Sequence, residues 1–311
     1  MKNFCKIIYS LVIFIFLLGN FTAEAASYET KVFPLENNGY KIYLSKLQTS
    51  DGAQKKSVLL IHGLTYSSHV FDVDFADYSF VKFLARNGYA VWRLDVAGYG
   101  RSQAVTDGFL PDSDYAAKDI LAAVNLILNE TGEKKIDVIG WSWGTVTCSR
   151  FAAKNPELVN KIILYAPILS GLGAENVTAP FHKNDWVHAA DDFQKLSDGK
   201  INPAIVEPAV AATFLSNCWH YDKDSSPNGG RRDLMTPASN QLIFVENLKM
   251  PVMIIEGTND GYINREMLKK VLPNCPEGSE FVEIEGGGHA MMIEKPFYKN
   301  FRNAVLKFLK R

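Results

Sequence analysis

The sequence has little cysteine and almost no net charge, and each scarcity excludes a class of protein. With 33 basic and 34 acidic residues among 311, it lacks the positive surplus that binds nucleic-acid phosphates. Its four cysteines form no Cys-x-x-Cys pair and no Cys/His spacing typical of zinc sites. We therefore expect a globular protein with neither a nucleic-acid partner nor a bound metal.

Long apolar runs are also scarce, and the one near the N-terminus is short. Residues 7–18 number twelve, fewer than the roughly 20 that span a bilayer. Lysines precede this run and small residues follow it, an order typical of a secretory signal peptide cut after Ala25 or Ala26. We predict that residues 1–26 are this signal and that the protein is exported, to the periplasm or beyond, without a stable membrane anchor. The alternative is an uncleaved segment that retains the protein at the membrane.

Export would permit disulfide bonds, but the cysteine count is awkward for them. Loss of Cys5 with the signal would leave three cysteines, an odd number: Cys148, Cys218 and Cys275. A bridge between Cys218 and Cys275 and three separate thiols are both compatible with the sequence.

Beyond residue 26, short apolar patterns typical of buried strands alternate with patterns of helical period. Two predicted strands, 30–35 and 40–47, are joined by a hairpin signal at Asn37-Asn38-Gly39. Six more lie at 57–63, 89–98, 135–140, 161–166, 251–257 and 280–286. Helical patterns occur at 75–87, at 114–129, after 142, from about 264 and at 297–309. This order predicts an α/β protein with a mostly parallel, eight-stranded sheet and helices on both faces.

The alternation stops between residues 168 and 248, an interval too long for a simple connection. Helical-looking pieces such as PAIVEPAVAATFL predict a mainly helical cap at 168–248, inserted between two parts of the core at 27–167 and 249–311. Within this cap a spacing of three residues admits a metal site, although a solvated surface is the favoured interpretation: His182, Asp185 and His188.

The stretch GWSWG, residues 140–144, follows a predicted strand and opens a predicted helix. A tight turn between strand and helix leaves no room for side chains at Gly140 and Gly144, and it exposes the oxygen of Ser142. A serine hydroxyl is a weak nucleophile until a base takes its proton, and the base needs a carboxylate to hold its tautomer. In this strand-to-helix context the short pattern indicates a nucleophile rather than an ordinary turn.

Other reactive residue types follow predicted strands further along the chain. Ligands bind beyond the carboxyl ends of the strands in open parallel sheets, and Asp260 and His289 lie at such ends. His62 and Asp95 lie there too, and we expect His62 to order a loop rather than to act as a second base. Ser142, Asp260 and His289, in that order, are therefore the candidates for a nucleophile, an acid and a base.

With these residues the chain resembles the serine hydrolases of the α/β-hydrolase superfamily, of the esterase or lipase kind with an inserted cap. The resemblance covers nearly all of the chain beyond residue 26 and rests on five segments: 62–63, 95–102, 140–144, 257–260 and 288–289. It implies that Ser142 is the nucleophile, Asp260 the acid and His289 the base. It also implies an oxyanion hole formed by the backbone N–H groups of Leu64 and Trp143.

Together with the predicted signal peptide, the resemblance implies an exported enzyme that cleaves a small-molecule carboxylic ester through an acyl-enzyme, without a cofactor. Amide or thioester hydrolysis and acyl transfer use the same residues, and a binding protein that keeps the fold without activity is the alternative from another class. Trp186, Trp219 and Tyr221 in the cap predict an aromatic pocket, with core packing as the alternative. Together with the balanced charge, they predict a small or medium apolar acyl ester. The sequence indicates nothing about oligomeric state.

Overall fold

The computed structural model describes residues 27–51, 53, 55–185 and 189–311. The predicted signal peptide, with Cys5, therefore lies outside the described residues, as do Trp186 and His188. Across the described ranges, no helix combines the length and the apolar character that crossing a bilayer requires.

The described residues form ten strands, eight of which make one sheet. In chain order they are β1 (Tyr28–Asn37), β2 (Tyr40–Thr49), β3 (Lys56–Ile61), β4 (Tyr89–Asp95), β5 (Ile136–Trp141), β6 (Val159–Tyr165), β7 (Phe181–Lys183), β8 (Ser225–Pro227), β9 (Val252–Gly257) and β10 (Glu280–Ile284). The large sheet has the order β1-β2-β4-β3-β5-β6-β9-β10. β2 pairs antiparallel with β1 and with β4, and every other neighbouring pair is parallel. The predicted eight-stranded, mostly parallel sheet is confirmed.

Helices cover both faces of this sheet, as predicted. They are α1 (Phe80–Arg86), α2 (Ser113–Thr131), α3 (Trp143–Lys154), α4 (Pro208–Tyr221), α5 (Gly229–Leu234), α6 (Arg265–Val271) and α7 (Tyr298–Leu309). Alternate residues of a strand point to opposite faces. Leu59 and Ile61 of β3 accordingly pack in one apolar cluster with α2, α3 and α6, whereas Val58 and Leu60 pack in another with α1, α4 and α7. Because both faces are buried, the central strands are apolar without interruption.

The segment between β6 and β9 contains α4, α5 and the antiparallel pair of β7 and β8. The division of the chain into a core and a cap stays a prediction, but the structure shows what anchors this segment. Asp222, at the end of α4, is buried and accepts four hydrogen bonds from the loops beyond β3 and β4. Its donors are the backbone N–H and hydroxyl of Ser67, the Nε2–H of His69 and the backbone N–H of Gly100, at 2.6–3.3 Å.

Replacing Asp222 with alanine is expected to lower the free energy of unfolding by about 3–5 kcal/mol, because it leaves several buried donors without an acceptor. Urea denaturation of the purified protein would measure this loss. Asp224→Ala is the matched control, since Asp224 lies two residues further on and is exposed. A loss of less than 1 kcal/mol in Asp222→Ala, about that of an ordinary surface substitution, would contradict the anchoring role.

The three cysteines among the described residues are free thiols. Cys148 and Cys218 are buried, and Cys275 is half-buried. Of the two alternatives that the sequence leaves open, the structure therefore favours separate thiols over a bridge between Cys218 and Cys275.

Candidate active site

Ser142 lies in a tight turn between β5 and α3, in a strained backbone conformation. Its φ of 57° and ψ of −124° fall in a region that costs a non-glycine residue free energy and that clusters at functional sites. A Cβ atom at Gly140 would collide with the carbonyl oxygen of Gly144, and one at Gly144 with the carbonyl oxygen of Ile61. The structure therefore gives both glycines the steric role that the sequence predicts for them.

His289 and Asp260 form a buried pair beyond the ends of β10 and β9. The Nδ1–H of His289 donates to Oδ2 of Asp260 at 2.8 Å, and the other carboxylate oxygen accepts from the backbone N–H of Tyr262 at 2.9 Å. Neighbouring Asn259 points elsewhere, because its side-chain amide donates to Gln194. Burial on its own lowers the pKa of His289, but the charge of Asp260 and its hydrogen bond outweigh burial and raise that pKa above its ordinary value.

The backbone of His289 is held by two aromatic side chains that carry hydrogen-bond donors. The indole N–H of Trp141 and the hydroxyl of Tyr165 both donate to the carbonyl oxygen of His289, at 3.0 and 2.9 Å. The sequence assigns no role to Trp141, and it does not single out Tyr165. Both residues belong to central strands, so they fix the imidazole-bearing loop to the sheet.

The glycine-rich loop that precedes His289 is fixed by a buried carboxylate. Glu294 accepts from the backbone N–H of Gly288 at 2.8 Å, and the side-chain amide of Gln194 donates both to Glu294 and to the carbonyl oxygen of Gly286. Burial raises the pKa of Glu294, although the hydrogen bond from Gly288 opposes that rise. Gln194 thus joins the segment between β6 and β9 to the loop that carries His289.

The two residues predicted to form an oxyanion hole flank Ser142. Trp143 begins α3, where backbone N–H groups have no partner within the helix. Its indole is buried and donates to the Ser113 hydroxyl at 2.9 Å, so only the backbone is available to a substrate. Leu64 follows Gly63, whose backbone lies against Ser142: a Cβ at Gly63 would be 3.0 Å from that of Ser142.

The loop beyond Leu64 is strained as well. Thr65 has a φ of 74°, a value that is rare for a β-branched residue. The neighbouring His62 orders this loop as predicted, because its Nδ1–H donates to the carbonyl oxygen of Gly63 and its Nε2 accepts from the backbone N–H of Val96. Asp95 likewise accepts from the backbone N–H groups of Ser68 and Arg101.

Ser142, His289 and Leu64 line one cavity of about 140 Å³. Its other lining side chains are a threonine, a tryptophan, two tyrosines, four apolar residues and three charged residues: Thr65, Trp141, Tyr66, Tyr262, Ile168, Leu172, Leu234, Met235, Arg231, Asp191 and Asp192. The structure thus brings Ser142 and the His289–Asp260 pair to one site, although their catalytic roles stay predictions. Sequence patterns missed Arg231, Tyr66 and Tyr262, which reach the cavity from loops and from the short helix α5.

Trp219 and Tyr221 are not among the residues that line this cavity, and their predicted place in a substrate pocket stays a prediction. Both belong to the last turn of α4, which the anchor at Asp222 draws towards the loops beyond β3 and β4. The Tyr221 ring stacks on His69 with 5.1 Å between ring centroids, and the Arg101 guanidinium lies 4.6 Å from the centre of the same Tyr221 ring. Trp186 lies outside the described residues. Within the described part of the chain, no group of three or more metal-binding side chains is close enough to hold an ion.

Comparisons with known proteins agree with this fold. Residues 56–209 match a family model described as alpha/beta hydrolase fold, a region that contains Leu64, Ser142 and Trp143. Lipase member K from Mus musculus is 29% identical over 152 residues, which are 46% of this chain and 38% of the lipase. A protein from Haemophilus influenzae named "Putative esterase/lipase" is 25% identical over 267 residues, 82% of this chain and 83% of its own length.

Among solved structures, a bromoperoxidase from Bacillus anthracis superposes with a TM-score of 0.65 at 20% identity, covering 91% of this chain and 100% of that one. At this identity the likeness concerns the fold alone. The chain matches less than half the length of the mouse lipase, so the activity of that whole protein is no description of this one. On the family model and the shared fold, the chain belongs to the α/β-hydrolase superfamily.

Proposed function

We propose that the protein is a serine hydrolase that cleaves small carboxylic esters through an acyl-enzyme on Ser142. One observation carries the proposal: a strained serine between a strand and a helix opens into the same cavity as a buried histidine that is hydrogen-bonded to a carboxylate. A serine, a base and an orienting acid form the set that acyl transfer requires.

In the proposed mechanism, His289 takes the hydroxyl proton as the oxygen of Ser142 attacks the ester carbonyl carbon. Asp260 keeps the imidazole in the tautomer that leaves Nε2 free to accept this proton, and it stabilises the imidazolium. The backbone N–H groups of Leu64 and Trp143 donate to the oxyanion that develops. The imidazolium then returns the proton to the departing alcohol, and water repeats the sequence to release the acid.

The volume of the cavity and the name of a relative support a small ester as the substrate. A cavity of about 140 Å³ is close to the volume that, in other proteins, encloses a single benzene ring, so a short acyl or alcohol group fits and a long chain must extend outside. The name of the Haemophilus influenzae relative also supports an ester as the bond that is cleaved.

Export is part of the proposal. The order of basic, apolar and small residues in 1–26 supports cleavage near Ala26 and release of the remaining chain from the membrane. On this view the enzyme meets its substrate outside the cytoplasm.

A series of p-nitrophenyl esters from acetate to dodecanoate, combined with a fluorophosphonate probe, tests the proposed activity. We expect the probe to label the protein covalently and kcat/KM to be highest for short acyl chains. A protein that takes no label and cleaves none of these esters would be a binding protein that keeps the fold. Cleavage of matched anilides or thioesters in preference to esters would replace the ester bond in the proposal with an amide or a thioester.

A further inference from the structure

The cavity that contains Ser142 holds one arginine, and its guanidinium is fixed in place. Arg231, on α5, donates from Nη1 to the side-chain oxygen of Asn228 at 2.7 Å and from Nη2 to the hydroxyl of Thr65 at 3.0 Å. Both acceptors are neutral. A guanidinium has five N–H groups, so these two bonds orient it without using all of its donors.

Arg231 differs from the other sheltered arginines of the chain in having no carboxylate partner. Arg93 lies 2.8 Å from Asp72, Arg302 lies 3.6 Å from Asp77, and Arg101 lies 3.3 Å from Asp95. Among the described residues, no carboxylate oxygen lies within 4.0 Å of the Arg231 guanidinium. A cation removed from water without an anion is costly, so such an arrangement calls for an external anion.

The groups that act on the pKa of Arg231 also differ from those expected of a paired arginine. Burial lowers the pKa of Arg231, and the groups that oppose this shift are the hydroxyls of Tyr99, Tyr262 and Tyr66 rather than carboxylates. The charge itself persists, because an arginine in a protein does not give up its proton.

The two aspartates of the cavity belong to its other end. Asp191 and Asp192 also line the adjoining groove beside Asn259, Gly288 and His289, whereas Arg231 is bonded to Thr65, on the side of the predicted oxyanion hole. Asp191 is paired with Lys195 at 2.5 Å. The Arg231 end of the cavity is therefore positive.

We propose that Arg231 binds a carboxylate of the substrate, so that the ester cleaved at Ser142 carries a free carboxylate elsewhere in the molecule. The planar fork of the guanidinium matches a carboxylate with two parallel hydrogen bonds. This inference rests on the proposed ester hydrolysis, and it replaces the apolar acyl ester predicted from the aromatic residues of the cap and the balanced charge. The aliphatic and aromatic lining then contacts the chain between the ester and the carboxylate.

Matched pairs of esters test the inference. Monomethyl glutarate is compared with its neutral isostere, in which an isopropyl group replaces the carboxylate, and a second pair carries the same exchange on the alcohol side of an acetate ester. We expect the wild-type protein to prefer the charged member of at least one pair in kcat/KM. The pair that shows the preference tells which side of the ester faces Arg231.

The variants are Arg231→Gln, Arg231→Lys and the matched control Arg232→Gln, whose arginine is exposed and packs over Phe109. In Arg231→Gln we expect the ratio of charged to neutral kcat/KM to fall by roughly 10- to 100-fold, as for loss of charge-assisted hydrogen bonds. Arg231→Lys should recover part of this ratio, and Arg232→Gln should keep it. A wild-type protein without preference, or an equal fall for both members of a pair, would overturn the inference; the second result would make Arg231 a support for the loop at Thr65.

Binding measurements keep this inference separate from the proposed catalysis. Calorimetric titration with glutarate should show binding to the wild-type protein and to Arg232→Gln, and none to Arg231→Gln. Ester hydrolysis without glutarate binding or charge preference would leave the proposed function standing and remove the role of Arg231. Glutarate binding that depends on Arg231, in a protein that cleaves no ester, would support the role of Arg231 and contradict the proposed ester hydrolysis.

Discussion

Replacing Ser142 with alanine is expected to lower kcat for the best ester substrate by about a thousandfold to a millionfold. The substitution removes the only atom that forms the acyl bond in the proposed mechanism, and His289 is then left with no hydroxyl to deprotonate. Substrate binding should change little, because the cavity walls remain. Single-turnover assays with the best ester of the chain-length series would measure the loss, and the fluorophosphonate label should disappear with it.

The control for this variant is Ser149→Ala, two turns further along α3. The hydroxyl of Ser149 donates to the carbonyl oxygen of Thr145, and its side chain lies outside the cavity that holds Ser142. We expect Ser149→Ala to keep most of the activity. If Ser142→Ala instead keeps more than a tenth of the wild-type rate while remaining folded, the nucleophile is another group.

Because the backbone at Ser142 is strained, a glycine substitution there distinguishes the loss of catalysis from a loss of stability. Alanine has the same conformational cost as serine at a φ of 57°, whereas glycine adopts this region freely. Ser142→Gly should therefore be as inactive as Ser142→Ala, yet more stable to urea by about 1 kcal/mol.

Much of the fold could be predicted from the sequence, because the local residue patterns agree with the burial of the strands in the structure. The central strands are apolar throughout, as strands buried on both faces must be. The first hairpin was predictable from its turn, where Asn38 and Gly39 both have positive φ values, as the tightest hairpin turns require. The boundary of α1 was less accurate: the helix begins at Phe80, after the side chain of Ser79 caps it, rather than at residue 75.

The sequence predicted only those residues of the candidate site that lie directly after a strand. Ser142, Asp260 and His289 each follow a strand, so their convergence follows from topology. The stretch from 225 to 232 is rich in serine, proline, asparagine and glycine, residue types typical of loops, yet it forms β8 and most of α5, with Gly230 packed on the Trp143 indole. A Cβ there would meet that ring at 2.5 Å, a contact between distant segments that no local pattern encodes. The position of Arg231 depends on this contact and was therefore missed.

Asp260 and Asn259 are adjacent in sequence, but the side chain of Asp260 is hydrogen-bonded to His289 and that of Asn259 to Gln194. Asp260→Asn is expected to lower kcat by roughly ten-thousandfold, because an amide at this place can donate to Nδ1 and so favours the tautomer that carries its proton on Nε2. In that tautomer His289 has no free nitrogen facing Ser142. Asn259→Ala is the matched control: it loses a bond to Gln194 and should keep most of the activity.

The pH profile of Asp260→Asn gives a second readout that a merely structural loss would not produce. His289 must be neutral to act as a base, so kcat/KM rises with pH through the pKa of His289, which the wild-type protein holds above its ordinary value. Burial lowers this pKa, and the Asp260 carboxylate more than offsets burial. Without that carboxylate, the acid limb should move to lower pH even as the maximum falls. An unshifted limb, or an equal loss of activity in Asn259→Ala, would show that Asp260 is not the acid that orients His289.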